Sequence, residues 1–131
     1  NKMSMLQITP VNHEAEEDGS WGTYLGVKLL IARANNTKFK RIFRRLSKPY
    51  KKAIDKGTID DATAKDIMVQ SVVGGILNGW DATTFPGNID YSAENATELL
   101  KNDQDAMDFI QEFSSDLDNY LKEEIAEVVK E

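Results

Sequence analysis

Apolar residues recur along the chain with two different periods, and the change of period locates the elements. From Trp21 to Arg33, Val27, Leu29 and Ile31 alternate with Lys28, Leu30 and Ala32, the period of two that marks a strand. Gly19, Gly22 and Gly26 supply turn residues, so a short hairpin or strand is expected over 21–34. After Asn35-Asn36, which suit a turn or an N-cap, the spacing becomes helical: Phe39, Ile42, Phe43 and Leu46 share one face, with Lys40, Arg41, Arg44 and Arg45 on the others. Ser47-Lys48-Pro49 restarts the chain, and the short helix that follows ends at Gly57, placed for a left-handed C-terminal cap.

Asp60 or Asp61 caps the next predicted helix, whose stripe runs Ile67, Met68, Val72, Ile76, Leu77 and Trp80. Gly74, Gly75 and Gly79 would weaken it by up to about 1 kcal/mol each, so their presence predicts close approach by another backbone. Asp81 to Tyr91, with Pro86-Gly87-Asn88, reads as a loop. Ser92 caps a helix carrying Ala96, Leu99 and Leu100, and Asn102-Asp103 stops and restarts it. One final helix is then predicted, with Met107, Ile110, Phe113, Leu117, Tyr120, Leu121, Ile125 and Val128 on one side and acids on the other.

The expected fold is mainly α: a short N-terminal β hairpin or strand, then about five helices packed as a small irregular bundle. At 131 residues the chain fits a single domain over 1–131, divided into a loose N-terminal arm (1–20), a β element (21–34) and a helical body (36–131). The absence of cysteine removes disulfides, thiolate metal sites and a cysteine nucleophile, and fits a reducing compartment. No run approaches the roughly 20 apolar residues a bilayer span needs, and no signal peptide is visible, so a soluble, intracellular protein is expected.

Charge sharpens this picture. The net −6 conceals a dipolar chain: ten bases against one acid from Arg33 to Lys56, and fourteen acids against three bases from Asp81 to Glu131. The segment charges are therefore +9 and −11. Catalytic chemistry finds little support. His13, the lone histidine, is expected to be exposed and idle. Asp103, Asp105, Asp108 and Glu112 lack the glycine and twelfth-position glutamate of a calcium loop and read as a solvated helix face. Asp116 and Asp118, two apart on a helix, point to different sides, and the common phosphate-cradling loops are missing. The chain reads as a non-enzyme without metal or cofactor. The basic segment, interleaved with Phe39, Phe43 and Tyr50, could neutralise phosphates, but the chain as a whole is acidic, a long acidic helix competes for the same patch, and Phe39 and Phe43 lie on the apolar helical face. Charge-complementary protein contact is the better use, within the fold, between subunits or with a partner.

Several runs carry a resemblance. They are Asn35-Asn36-Thr37-Lys38-Phe39, Leu46-Ser47-Lys48-Pro49-Tyr50, Ile76-Leu77-Asn78-Gly79-Trp80-Asp81 and Ile89 to Ala96, followed by Leu99-Leu100 and the acidic end. The most specific are Gly79-Trp80-Asp81 and Tyr91-Ser92-Ala93-Glu94-Asn95-Ala96. From Trp21 to Glu131 the chain resembles the tail assembly chaperones of long-tailed bacteriophages and prophages. The resemblance implies a non-enzymatic, mostly helical protein of the bacterial host cytoplasm. It would bind the tape measure protein and help recruit tail tube subunits during tail morphogenesis. The alternatives are a small virion tail protein and, with less support, a nucleic-acid-binding module using residues 33–56. Lys40, Arg41, Arg44, Arg45, Lys48 and Trp80 are the candidate partner-binding residues. Homo-oligomers, with the basic helix near an acidic face, are expected from the charge split.

Overall fold

The structure is a computed structural model that describes residues 10–121. Asn12 N-caps a short helix, α1 (His13–Asp18), its side chain accepting from the Ala15 amide. The loose arm expected over 1–20 falls partly outside the described residues; within them, residues 13–18 are helical instead. Two contacts seat this helix: the Arg33 guanidinium donates to Glu16 at 2.8 Å, and the Asn78 amide donates to the carbonyls of Glu17 and Asp18. Asn78 thus satisfies carbonyls at the C-terminal end of α1, which have no partner inside the helix.

The alternating segment forms the expected hairpin, β1 (Ser20–Tyr24) and β2 (Val27–Ile31), in antiparallel register with Trp21 opposite Leu30 and Gly22 opposite Leu29. Its two-residue turn places both Leu25 (φ 49°) and Gly26 (φ 84°) in the left-handed region, the geometry that matches strand twist. Glycine accepts that conformation without strain, whereas Leu25 holds it with its side chain in solvent. Asn36 then caps α2 (Thr37–Ser47), a 3-10 turn at Lys48–Tyr50 follows, and α3 (Lys51–Lys56) ends on Gly57 at φ 70°, the predicted left-handed cap. Asp60, not Asp61, caps α4 (Asp61–Gly75) by accepting from the Thr63 amide.

Here the helical stripe fails as a guide. The predicted helix through Trp80 stops at Gly75, and Leu77–Trp80 is a third strand, β3. It completes an antiparallel sheet in the order β1-β2-β3, with Leu29 opposite Trp80, Leu30 opposite Gly79 and an irregularity between Leu30 and Ile31. The reason is tertiary. β2 has an open edge whose amides and carbonyls need partners once buried, and an Asn78-Gly79 pair is a poor helix former. Hydrogen bonds from the Ala32 amide to Ile76 and from the Asp81 amide to Lys28 bracket the pairing.

Ser92 and Asp103 cap α5 (Ala93–Asn102) and α6 (Gln104–Ser115) as the sequence predicts. The long final helix does not form. It breaks at Asp116, whose carboxylate caps a 3-10 turn over Leu117–Tyr120. This break buries Tyr120 completely, its hydroxyl donating to the Ile31 carbonyl at 3.0 Å, and leaves Leu117 exposed. Ile125 and Val128 lie outside the described residues.

The core gathers Leu29 and Ile31 of β2, Val69, Val72 and Val73 of α4, Leu77, Ala96, Leu100, Met107 and Ile110. α4 is buried on several sides, between α2, α5 and β3. Of the three glycines only Gly75 meets the expected backbone of another element; Gly74 meets a side chain and Gly79 has room. A Cβ at Gly75 would lie 2.5 Å from the Phe39 Cα and one at Gly74 would lie 2.7 Å from the Ile42 Cδ1, whereas Gly79 meets only Leu30 atoms at 3.9 Å. The mainly α fold with a small N-terminal sheet is as expected from the sequence.

Candidate partner-binding groove

The candidate residues separate into three places. Lys40, Arg44 and Lys48 recur every fourth position on and just beyond α2, so they stand in line on one side. With Lys51 of α3 they rim a groove of about 650 Å³ whose apolar lining includes Phe39 and Phe43 of α2, Ile54 of α3 and Met68 of α4. Arg41 and Arg45 are exposed on another face of α2 and do not line it. Trp80 is elsewhere.

The groove follows from local structure. Asn36 holds the start of α2 against the end of α4: its side-chain amide donates to the carbonyls of Gly75 and Arg33 at 2.7 Å, and its Oδ1 accepts from the Phe39 amide. The absence of a side chain at Gly75 lets the two helices approach there. The 3-10 turn containing Pro49 redirects the chain, so α3 closes the far end of the groove with Ile54, which is 41% exposed. Phe39 and Phe43 stack with ring centroids 5.9 Å apart. Phe39 is thereby nearly buried while Phe43 is half-buried, the mixed status expected of a helix face that is part core and part groove.

The electrostatics are one-sided. Arg33 is committed to Glu16, and on the rim Lys51 pairs with Asp55 at 3.0 Å. Among the described residues, Lys40, Arg44 and Lys48 have no carboxylate partner within 4 Å. The acids of α6, Asp105, Asp108 and Glu112, are exposed and do not neutralise them. Ser47, in the groove wall, has its hydroxyl buried without a hydrogen-bond partner among the described residues.

Trp80 is 7% exposed. Its indole N–H donates to the Ile89 carbonyl at 2.8 Å, and its ring stacks on Phe85 (4.6 Å between centroids) and meets the edge of Tyr91 (5.1 Å). The Tyr91 hydroxyl donates to the Leu77 carbonyl. Partial burial raises the Tyr91 pKa, and the Thr83 hydroxyl and amide lower that of Asp81, which caps the following turn. The Gly79-Trp80-Asp81 and Tyr91-to-Ala96 runs therefore form one packed unit that pins the loop between them. His13 is exposed and its Nδ1 lies 2.8 Å from Glu16 Oε1. Asp103 is spent on capping α6, and Asp108 accepts from Gln104 on a helix face.

Sequence reasoning placed the cations on α2 but did not separate the groove side from the other, and it did not assign Lys51, Ile54 or Met68 to the site. The spacing of four between Lys40, Arg44 and Lys48 was the available signal; the contributions of α3 and α4 had none, because they depend on how three helices cross.

Fold and groove define a small, mainly helical protein with an apolar cleft bordered by Lys40, Arg44 and Lys48, which have no carboxylate partner among the described residues; no helix of those residues is long and apolar enough to cross a membrane. The chain belongs to the YdaY prophage protein family, whose model matches residues 34–131, from just after β2 through the helical body. No curated protein and no solved structure matches it.

Proposed function

We propose that this prophage protein is a non-enzymatic tail assembly chaperone, acting in the cytoplasm of the bacterial host, that binds the tape measure protein and helps recruit tail tube subunits. Two things support the reading: membership of a prophage family, and the resemblance carried by Gly79-Trp80-Asp81 and Tyr91 to Ala96. The observation that carries it is the groove. A chaperone of a long helical client needs an exposed apolar cleft that receives helices, and the α2/α3/α4 cleft with its cation rim has that form. Trp80 serves this function by building the fold rather than by touching the client.

The test is co-expression with the tape measure protein of the same prophage. The expected result is a salt-sensitive complex that keeps the client soluble and is lost when Lys40 and Arg44 are reversed to glutamate. A client equally soluble without the chain, together with DNA binding that falls with salt, would instead favour the nucleic-acid reading. Presence of the chain in purified tails would favour a virion protein.

A further inference from the structure

The groove is more selective than an apolar cleft alone. Lys40, Arg44 and Lys48 lie eight residue steps apart end to end along helical and 3-10 chain, about 12 Å at roughly 1.5 Å per step, and so run alongside the apolar floor for roughly two helical turns. The floor offers side chains that can adapt, since Met68 is unbranched and Phe43 and Ile54 are not fully covered. A volume of about 650 Å³ suits several apolar side chains inserted together. The single acid in the lining, Asp55, is held by Lys51, so the described part of the chain does not satisfy the charge of the rim.

We infer that the groove takes one turn-by-turn amphipathic helix of a partner protein, with apolar anchors spaced by three and four residues and carboxylates flanking them. This deepens the proposed function by specifying the chemistry of the client segment, and it rests on that reading for the client's identity only. An apolar stripe fills the floor while flanking carboxylates meet Lys40, Arg44 and Lys48, each of which is a charge-assisted donor. A phosphate backbone would match the rim but leave the apolar floor unfilled, and Phe39 is too covered to serve as a stacking platform.

Fluorescence anisotropy with the full-length chain tests this, using two synthetic helical peptides that share one leucine stripe, flanked in one by glutamate and in the other by lysine. The glutamate peptide should bind, weakening about tenfold or more between low and high salt, and the lysine peptide should bind at least tenfold more weakly. Arg44→Glu and Lys40→Glu should each cost several-fold in affinity, whereas Arg41→Glu and Arg45→Glu, off the groove, should change it little. Circular dichroism on each variant shows that the helices are intact; the four positions are solvent-exposed, so folding should survive. Equal binding of both peptides, or equal loss from Arg41→Glu, would overturn the inference. So would a self-associated chain that Arg44→Glu converts to monomer, because the occupant would then be a second copy. A peptide that binds while the tape measure protein does not co-purify defeats the proposed function alone; co-purification without glutamate preference defeats this inference alone.

Discussion

Replacing Gly75 by alanine is the sharpest test of how α2 and α4 meet beside the groove. The added Cβ would sit 2.5 Å from the Phe39 Cα and 2.8 Å from its N and Cβ. Carbon atoms in contact prefer about 3.5–4.0 Å, so the helices would have to part by about 1 Å. The obstacle is mostly backbone, so a rotamer change cannot relieve it. Such overpacking costs about 1–3 kcal/mol, and moving the Gly75 carbonyl away from the Asn36 amide at 2.7 Å puts a hydrogen bond worth about 1 kcal/mol at risk. Alanine returns at most about 1 kcal/mol of helix propensity. The net expectation is a loss of about 1–3 kcal/mol.

Two neighbouring glycines serve as controls. Gly74→Ala meets the Ile42 terminal methyl at 2.7 Å, a flexible group that can swing aside for about 0.5–1.5 kcal/mol, which the propensity gain roughly offsets. Gly79→Ala meets only Leu30 at 3.9 Å and should be neutral or stabilising by up to about 1 kcal/mol. Urea unfolding measures all three. With a slope of about 1–3 kcal/mol per molar, a 2 kcal/mol loss moves the midpoint by roughly 1 M. A Gly75→Ala protein as stable as the parent would refute the close approach of these helices, and a Gly74→Ala protein that loses as much would show that the Ile42 side chain cannot swing aside.

Other expectations follow from single contacts. Asn36→Ala should lose roughly 2–4 kcal/mol in urea unfolding, since it removes the α2 cap and leaves the Gly75 carbonyl unpaired. Ser47→Ala should be neutral or stabilising by up to about 1 kcal/mol, because it deletes a buried hydroxyl that has no partner among the described residues and improves helix propensity; a clear loss would mean that the hydroxyl is engaged. Burial pushes the Tyr120 hydroxyl well above the ordinary tyrosine range, with Arg33 opposing and Glu16 adding. Its folded pKa is raised, so its contribution is complete below about pH 10 and fades as pH climbs past that value, by up to about 1.4 kcal/mol per pH unit. Tyr120→Phe should flatten the alkaline fall in urea midpoint above about pH 10, and an unchanged slope there would show that Tyr120 is not its source. Trp80→Phe should cost about 1–2 kcal/mol through the lost hydrogen bond to Ile89 and lost packing, yet leave client co-purification intact.

Much of the fold was legible because it is local. Asn36, Asp60, Ser92 and Asp103 each accept from an amide three residues ahead, Gly57 ends its helix in the left-handed region, and the alternation around Val27 to Ile31 produces the hairpin. Such contacts depend on a few consecutive residues, so a sequence displays them. The groove was half legible: the cations on α2 could be read from spacing, but not which of them share a side with Ile54 and Met68.

The sequence by itself determined where α2, α4, α5 and α6 begin, where the hairpin lies, and that a +9 segment precedes a −11 segment, but not that residues 13–18 are helical. Only the tertiary structure decided that residues 77–80 are a strand, that the last described helix breaks at Asp116, and that Trp80 is buried while Lys40, Arg44 and Lys48 border a cleft. The physical reason is the same in each case. An apolar run such as Ile76-Leu77 can serve a helix or a strand, and the open edge of β2 settles which; a continuous helical stripe through Leu117 gives way because Tyr120 gains full burial and the Ile31 carbonyl gains a donor.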